Sequence, residues 1–168
     1  MAPFANAQRQ RLGSNVSSWN TAIWGYMKQG QSLQALACFE QMQKEGLALN
    51  DDTFICILKA CGNFGAIDKG KEIHEEIATL GLLKKNILLG TTLVNMYVKC
   101  DAFEKAHQVL EELPIRDTVS WNALICGYAQ EEHFQDALNC FEQMQPEGLL
   151  LNASSFFTYY SAYLSITF

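Results

Sequence analysis

The sequence predicts an all-α solenoid of stacked helix-turn-helix repeats, and two observations support this prediction. The first is internal repetition: segments 17–43 and 119–145 share residues at a constant offset of 102 positions, the interval from Trp19 to Trp121. A constant offset over the length of a helical hairpin indicates a repeat architecture. The second is helical apolar spacing, shown by Trp19, Ile23 and Tyr26. Because one hairpin cannot bury its apolar face alone, neighbouring hairpins must stack.

The interval between the two copies divides into further units. Each unit carries a small residue at the start of its second apolar run: Ala35, Gly70, Ala106 and Ala137. Aligned on these residues, the units are 16–50, 51–86, 87–117 and 118–152, with an N-terminal extension at 1–15. Segment 153–168 begins like a further unit and is interpreted as a truncated helix or a degenerate tail.

The units differ in length and pattern. The first contains Trp19-Asn20 and Gly25-Tyr26, the second Leu58-Lys59-Ala60-Cys61, and the third Leu93-Val94-Asn95-Met96-Tyr97, after which the first pattern returns. This series resembles the plant pentatricopeptide repeat family, in the subclass that alternates P, L and S repeats. The resemblance implies a right-handed α-solenoid whose first helices line the concave face. It also implies a fragment, because no C-terminal editing domain follows the repeats.

The absence of certain sequence patterns argues against several classes of function. No apolar run reaches the roughly 18 residues of a membrane span, and no metal-ligand spacing, phosphate loop or nucleophile–base pattern occurs. We therefore expect no catalysis, no metal, no cofactor and no membrane. The six cysteines, among them Cys38 and its repeat equivalent Cys140, are expected to be reduced and packed. We also expect eight large residues to be largely buried within and between hairpins: Trp19, Tyr26, Phe39, Leu93, Tyr97, Trp121, Tyr128 and Phe141.

The family resemblance implies single-stranded RNA as the partner, with one base read per repeat. In that family the fifth and last residues of a unit read the base. The corresponding pairs are Asn20 with Asn50, Ile55 with Asn86, Thr91 with Asp117, and Asn122 with Asn152. By analogy, paired asparagines favour a pyrimidine and the Thr–Asp pair favours G, whereas Ile55 cannot form a hydrogen bond. The implied target is roughly 5′-Y-N-G-Y, with Lys28 and Lys99 as phosphate contacts.

The same resemblance implies a mitochondrial or chloroplast location and protein partners in an RNA editing or processing complex. Residues 1–15 contain Arg9 and Arg11 and no acid, but they are short for a transit peptide. Segment 153–168 contains six aromatic residues and no charged side chain, so we expect it to promote self-association.

Three alternatives stay open. Asn50, Asp117 and Asn152 have the residue type that caps helix N-termini. The net charge is −6, and residues from Asp117 onward include six acids and no Lys or Arg. This acidity opposes binding of a polyanion by the fourth unit and favours the second alternative, a protein-interaction scaffold. The third alternative is a non-functional fragment of a longer repeat protein.

Overall fold

The computed structural model describes residues 15–149 and 153–167, and every regular element within them is helical. The helices are α1 (Val16–Lys28), α2 (Ser32–Lys44), α3 (Asp51–Phe64), α4 (Ile67–Thr79), α5 (Ile87–Lys99), α6 (Phe103–Glu112), α7 (Thr118–Gln130), α8 (Phe134–Met144) and α9 (Ala153–Thr167). Short 3₁₀ turns occur at Leu82–Lys84 and Gln145–Glu147. Helices α1 to α8 form four successive hairpins, which confirms the predicted all-α solenoid class.

The hairpins stack in two layers. The first helices, α1, α3, α5 and α7, pack side by side, and α9 continues this layer against α7. The second helices form the other layer, and each one also contacts the first helix of the next hairpin. Neighbouring first helices contact each other directly, and this contact is more extensive than any between neighbouring second helices. We call the solvent-facing side of the first-helix layer, which carries Asn20, Trp24 and Lys28, the inner face.

Side-chain caps fix where the first helices begin. The side chains of Asn15, Asn50, Asn86 and Asp117 each accept a hydrogen bond from a backbone N–H in the following turn. Just beyond the other end of α1, Gly30 adopts the left-handed conformation at φ +70°, a common way for a helix to end. The equivalent position after α7 holds Glu132, which adopts the same left-handed conformation at φ +62°.

Most of the predicted core is buried. Trp19, Phe39, Leu93, Tyr97, Trp121 and Tyr128 are at most 6% exposed. Tyr26 and Phe141 are less completely buried but pack against the core, in keeping with the prediction. They lie in the first and the last of the four hairpins, which among the described residues have a complete neighbouring hairpin on one side only. Phe141 instead packs on Tyr159 of α9, with their ring centroids 4.1 Å apart.

The cysteines described by the structure are free thiols. Cys38, Cys56, Cys61 and Cys140 are buried, and burial raises the pKa of Cys61 and Cys140 to about 12. These thiols stay protonated at neutral pH and act as small packing residues. Helix α9 leaves Phe156, Phe157 and Tyr160 exposed. Within the described chain, no helix combines the length and apolar character that a membrane crossing requires.

Candidate nucleic-acid interface

In the first unit the structure brings Asn20 and Asn50 together. The Asn20 Nδ2 group donates a hydrogen bond of 3.1 Å to Asn50 Oδ1. Asn50 Oδ1 also accepts from the Thr53 backbone N–H at 3.0 Å, as the cap of α3. The Thr53 hydroxyl lies 2.8 Å from the side-chain oxygens of both asparagines. Asn20 is 8% exposed, so its amide is held in a fixed orientation at the floor of the inner face.

The third unit repeats this arrangement with different side chains. The Thr91 hydroxyl lies 2.9 Å from Asp117 Oδ2, and Asp117 Oδ1 caps α7 by accepting from the Ser120 backbone N–H at 2.8 Å. The Ser120 hydroxyl donates to Asp117 Oδ1 at 2.6 Å and lies 3.1 Å from Thr91 Oγ1. Ser120 therefore has the same place in the third unit as Thr53 has in the first.

The second unit does not form a polar pair. Ile55 is 6% exposed and apolar. Asn86 caps α5 through its side-chain oxygen, and its Nδ2 group donates to Asp51 Oδ2 at 2.7 Å. The residue equivalent to Thr53 and Ser120 is Leu89, which is buried and cannot join a hydrogen-bond group. In the second unit, therefore, the residue equivalent to Asn20 is apolar and the side chain of Asn86 is already engaged at both its oxygen and its nitrogen.

The fourth unit can be described only in part, because Asn152 lies outside the described residues. Asn122 is 6% exposed, and its side-chain oxygen is buried without a hydrogen-bond partner among the residues that the structure describes. A buried amide oxygen without a partner is costly. It therefore marks a position that a hydrogen-bond donor would stabilise.

These hydrogen bonds show that Asn50, Asn86 and Asp117 do cap helices. Capping and base reading are compatible, because a cap uses one side-chain oxygen and one of its lone pairs. In Asn50 the amide nitrogen makes no hydrogen bond to any described residue, so it remains able to donate. The cap fixes the side chain at the rim of the inner face, where a ligand can reach it.

Described residues of the inner face line two adjoining grooves. The first, which we call the amide groove, has a volume of about 440 Å³ and is lined by Ser17, Asn20, Thr21, Trp24, Asn50 and Asp52. The second, the lysine groove, has a volume of about 470 Å³, and its lining includes Thr91, Lys28, Lys59 and Lys99. The predicted phosphate contacts Lys28 and Lys99 therefore share one groove. Lys99 Nζ also donates to Asn63 Oδ1 at 2.6 Å.

Sequence reasoning missed four residues of this site: the buried Thr53 and Ser120 beneath the inner face, and Trp24 and Lys59 on it. The signal for the last two was helical spacing, since Trp24 and Lys59 lie four residues after Asn20 and Ile55, one turn along the same side of the helix. Lys28, Lys59 and Lys99 come from the first three units. The fourth unit has the uncharged Cys126 and Gln130 at the equivalent positions, so the positive charge of the inner face ends before α7.

Comparison with known proteins agrees with this repeat architecture. The PPR repeat family model matches residues 14–63 and 116–160, and a PPR repeat model matches residues 91–117. Together these matches cover more than half of the chain. The chain belongs to the pentatricopeptide repeat family.

Relatives from Arabidopsis thaliana are longer. A chloroplastic pentatricopeptide repeat-containing protein is 38% identical over 148 residues, which are 88% of this chain and 23% of the relative. A mitochondrial one is 35% identical over 132 residues, which are 79% of this chain and 13% of the relative. The chain thus spans less than a quarter of the length of these relatives.

Solved structures show the same fold. The pentatricopeptide repeat protein PPR10 from maize superposes with a TM-score of 0.73 at 25% identity, over 98% of this chain and 24% of PPR10. A structure of PPR10 in complex with an 18-nucleotide psaJ RNA element gives a TM-score of 0.74 at 19% identity, over 94% of this chain and 24% of the other.

Proposed function

We propose that this chain binds single-stranded RNA along its inner face, one base per repeat, within a longer P-L-S-type protein that acts in organellar RNA processing or editing. One observation carries the proposal: the fifth and last residues of the first and third units lie side by side on the inner face. Such paired polar groups suit the Watson–Crick edge of an unstacked base. The RNA-bound state of PPR10 and the chloroplastic and mitochondrial names of the relatives support it.

The proposed target is roughly 5′-Y-N-G-Y, with the first unit toward the 5′ end. Asn20 with Asn50 reads a pyrimidine, Thr91 with Asp117 reads G, and Asn122 with Asn152 reads the second pyrimidine. Ile55 leaves the second position unread. Lys28 and Lys99 neutralise phosphates, and because few phosphates are neutralised, binding by this chain alone is weak and is strongest at low salt.

The test exploits the equivalence of the first and third units. The double substitution Thr91→Asn with Asp117→Asn rebuilds the Asn20–Asn50 pair in the third unit, with Ser120 in the place of Thr53. Asparagine also caps helices well, so α7 keeps its cap. We expect the preference at the third RNA position to change from G to a pyrimidine, measured by competition among RNAs that differ only there.

The control is Glu142→Gln, which removes one negative charge from an exposed position on α8, away from the inner face. It separates a change of base preference from a general gain of affinity caused by lower net charge. If the double variant and the unchanged protein rank the RNAs identically, Thr91 and Asp117 serve only as structural residues and the proposed reading is wrong.

A further inference from the structure

Trp24 is a large apolar residue that the fold leaves on the inner face. It is 41% exposed, whereas the other two tryptophans, Trp19 and Trp121, are 0% and 1% exposed. The equivalent positions in the other units hold Lys59, Asn95 and Cys126. Since helical hairpins of the same type form with lysine, asparagine or cysteine there, packing does not require tryptophan at this position.

Two contacts from the neighbouring helix α3 hold the indole ring in place. The Lys59 ammonium group lies 5.1 Å from the ring centroid, in cation–π geometry. The Trp24 indole N–H also acts as a hydrogen-bond donor toward the thiol sulfur of Cys56, one turn earlier on α3, which opposes the rise of the Cys56 pKa caused by burial. The ring is therefore oriented before any ligand arrives, which reduces the conformational entropy that a ligand would have to overcome on binding.

The ring also lies where the two grooves of the inner face meet. Trp24 lines the amide groove together with Asn20 and Asn50, and it lines the lysine groove together with Lys28 and Lys59. Lys59 lines the lysine groove but not the amide groove. A flat ligand in the amide groove can thus contact the ring without displacing the ammonium group.

We propose that Trp24 is a stacking platform for the base held by Asn20 and Asn50, and that Lys59 contacts the phosphate on the 3′ side of that base. This inference rests on the proposed RNA binding. The chemistry suits a nucleobase because every base has a π-face, so aromatic stacking adds affinity without sequence preference. An ammonium group between the stacked ring and the lysine groove lies on the path of the phosphate backbone as it continues toward the second unit.

Fluorescence provides a direct test, because Trp24 is the exposed tryptophan of the three in this chain. A short single-stranded RNA that begins with a pyrimidine is titrated at low salt, and binding is followed by anisotropy of a label on the RNA. We expect bound RNA to quench the intrinsic tryptophan emission. Trp24→Ala should abolish the quenching and weaken binding by about tenfold. Trp24→Phe should abolish the quenching but retain most of the affinity, since a stacking ring remains.

A cycle with an abasic RNA separates stacking from a structural effect. Removal of the base at the first RNA position should weaken binding to the unchanged protein and have little further effect on Trp24→Ala, because the stacking partner is already lost. Phe64→Ala is the matched control, because it removes an exposed aromatic ring that lines neither groove, and it should leave quenching and affinity unchanged.

The proposed phosphate contact of Lys59 is tested by the salt dependence of RNA affinity. Lys59→Gln should reduce the slope of log affinity against log salt by about 1, the value for one phosphate contact. Lys44→Gln, at an exposed position at the end of α2, removes the same charge and should leave the slope unchanged.

The outcomes distinguish this inference from the function on which it rests. If RNA binds without quenching, and Trp24→Ala binds as tightly as the unchanged protein, the stacking platform is refuted while RNA binding stands. If the unchanged protein binds none of the RNAs at low salt, RNA binding by this chain is refuted and the inference with it.

Discussion

The first and fourth hairpins share five fully buried residues and differ in what they present to solvent. Five pairs of residues 102 positions apart are identical and equally buried: Trp19 and Trp121, Ile23 and Ile125, Ala35 and Ala137, Cys38 and Cys140, and Met42 and Met144 are all at most 1% exposed. On the inner face, Trp24 and Lys28 correspond to Cys126 and Gln130. Close packing restricts the first set of positions, while the second set is free to differ and can therefore determine what each repeat binds.

The largest expected effect comes from truncating the shared core tryptophans. It shows whether they contribute equally to the stability of the first and the fourth hairpin. Trp19→Ala and Trp121→Ala should each lower the free energy of unfolding by about 3–5 kcal/mol, the range for a buried large aromatic residue. Trp24→Ala is the matched control on α1, and it should cost only about 1 kcal/mol because the ring is exposed and loses mainly its cation–π contact. Urea unfolding followed by circular dichroism measures all three.

Polar groups also hold the Trp121 indole in place. Its Nε1 group donates to Glu147 Oε2 at 2.9 Å, and Glu147 pairs with Arg116 at 2.8 Å. A loss below about 1 kcal/mol for either buried tryptophan would contradict the range for core aromatic residues and the equivalence of the two hairpins.

The contrast between shared buried positions and variable inner-face positions also explains what could be predicted from the sequence. Repetition revealed the fold class and the predicted core residues, because packing imposes the same residue types at the same spacing. It could not reveal that Thr53 and Ser120 join the polar pairs, since that depends on how one hairpin is placed against the next. Trp24 and Lys59 were missed because they occupy a position where the units differ.

The second prediction concerns two glycines at equivalent positions, Gly25 in α1 and Gly127 in α7. A Cβ on Gly127 would lie 2.7 Å from Val98 Cγ1 and 2.8 Å from Phe103 Cε1, whereas a Cβ on Gly25 would meet no described atom within 4 Å. Gly127→Ala should therefore lower the free energy of unfolding by about 1–2 kcal/mol, because the overpacking outweighs the better helix propensity of alanine.

Gly25→Ala should have the opposite sign. With no overpacking to oppose it, the helix propensity of alanine should raise the free energy of unfolding by about 0.5–1 kcal/mol. The same urea experiment measures both variants. Equal effects of the same sign would show that the third hairpin does not press on Gly127 as closely as the structure indicates.

The last comparison, with a similarly small expected effect, concerns the turn between the two helices of a hairpin. Gly30 and Glu132 are equivalent and both have a left-handed backbone, at φ +70° and +62°. A side chain is strained in that conformation and glycine is not. Glu132→Gly should therefore raise the free energy of unfolding by about 0.5–1 kcal/mol, since relief of strain exceeds the added entropy of the unfolded chain. In a domain of this size, the midpoint of thermal unfolding should rise by about 2 °C. Glu132→Gln keeps the strain and removes the same charge from the acidic fourth unit, so a midpoint that rises equally for both variants would show that charge, and not the backbone, is the cause.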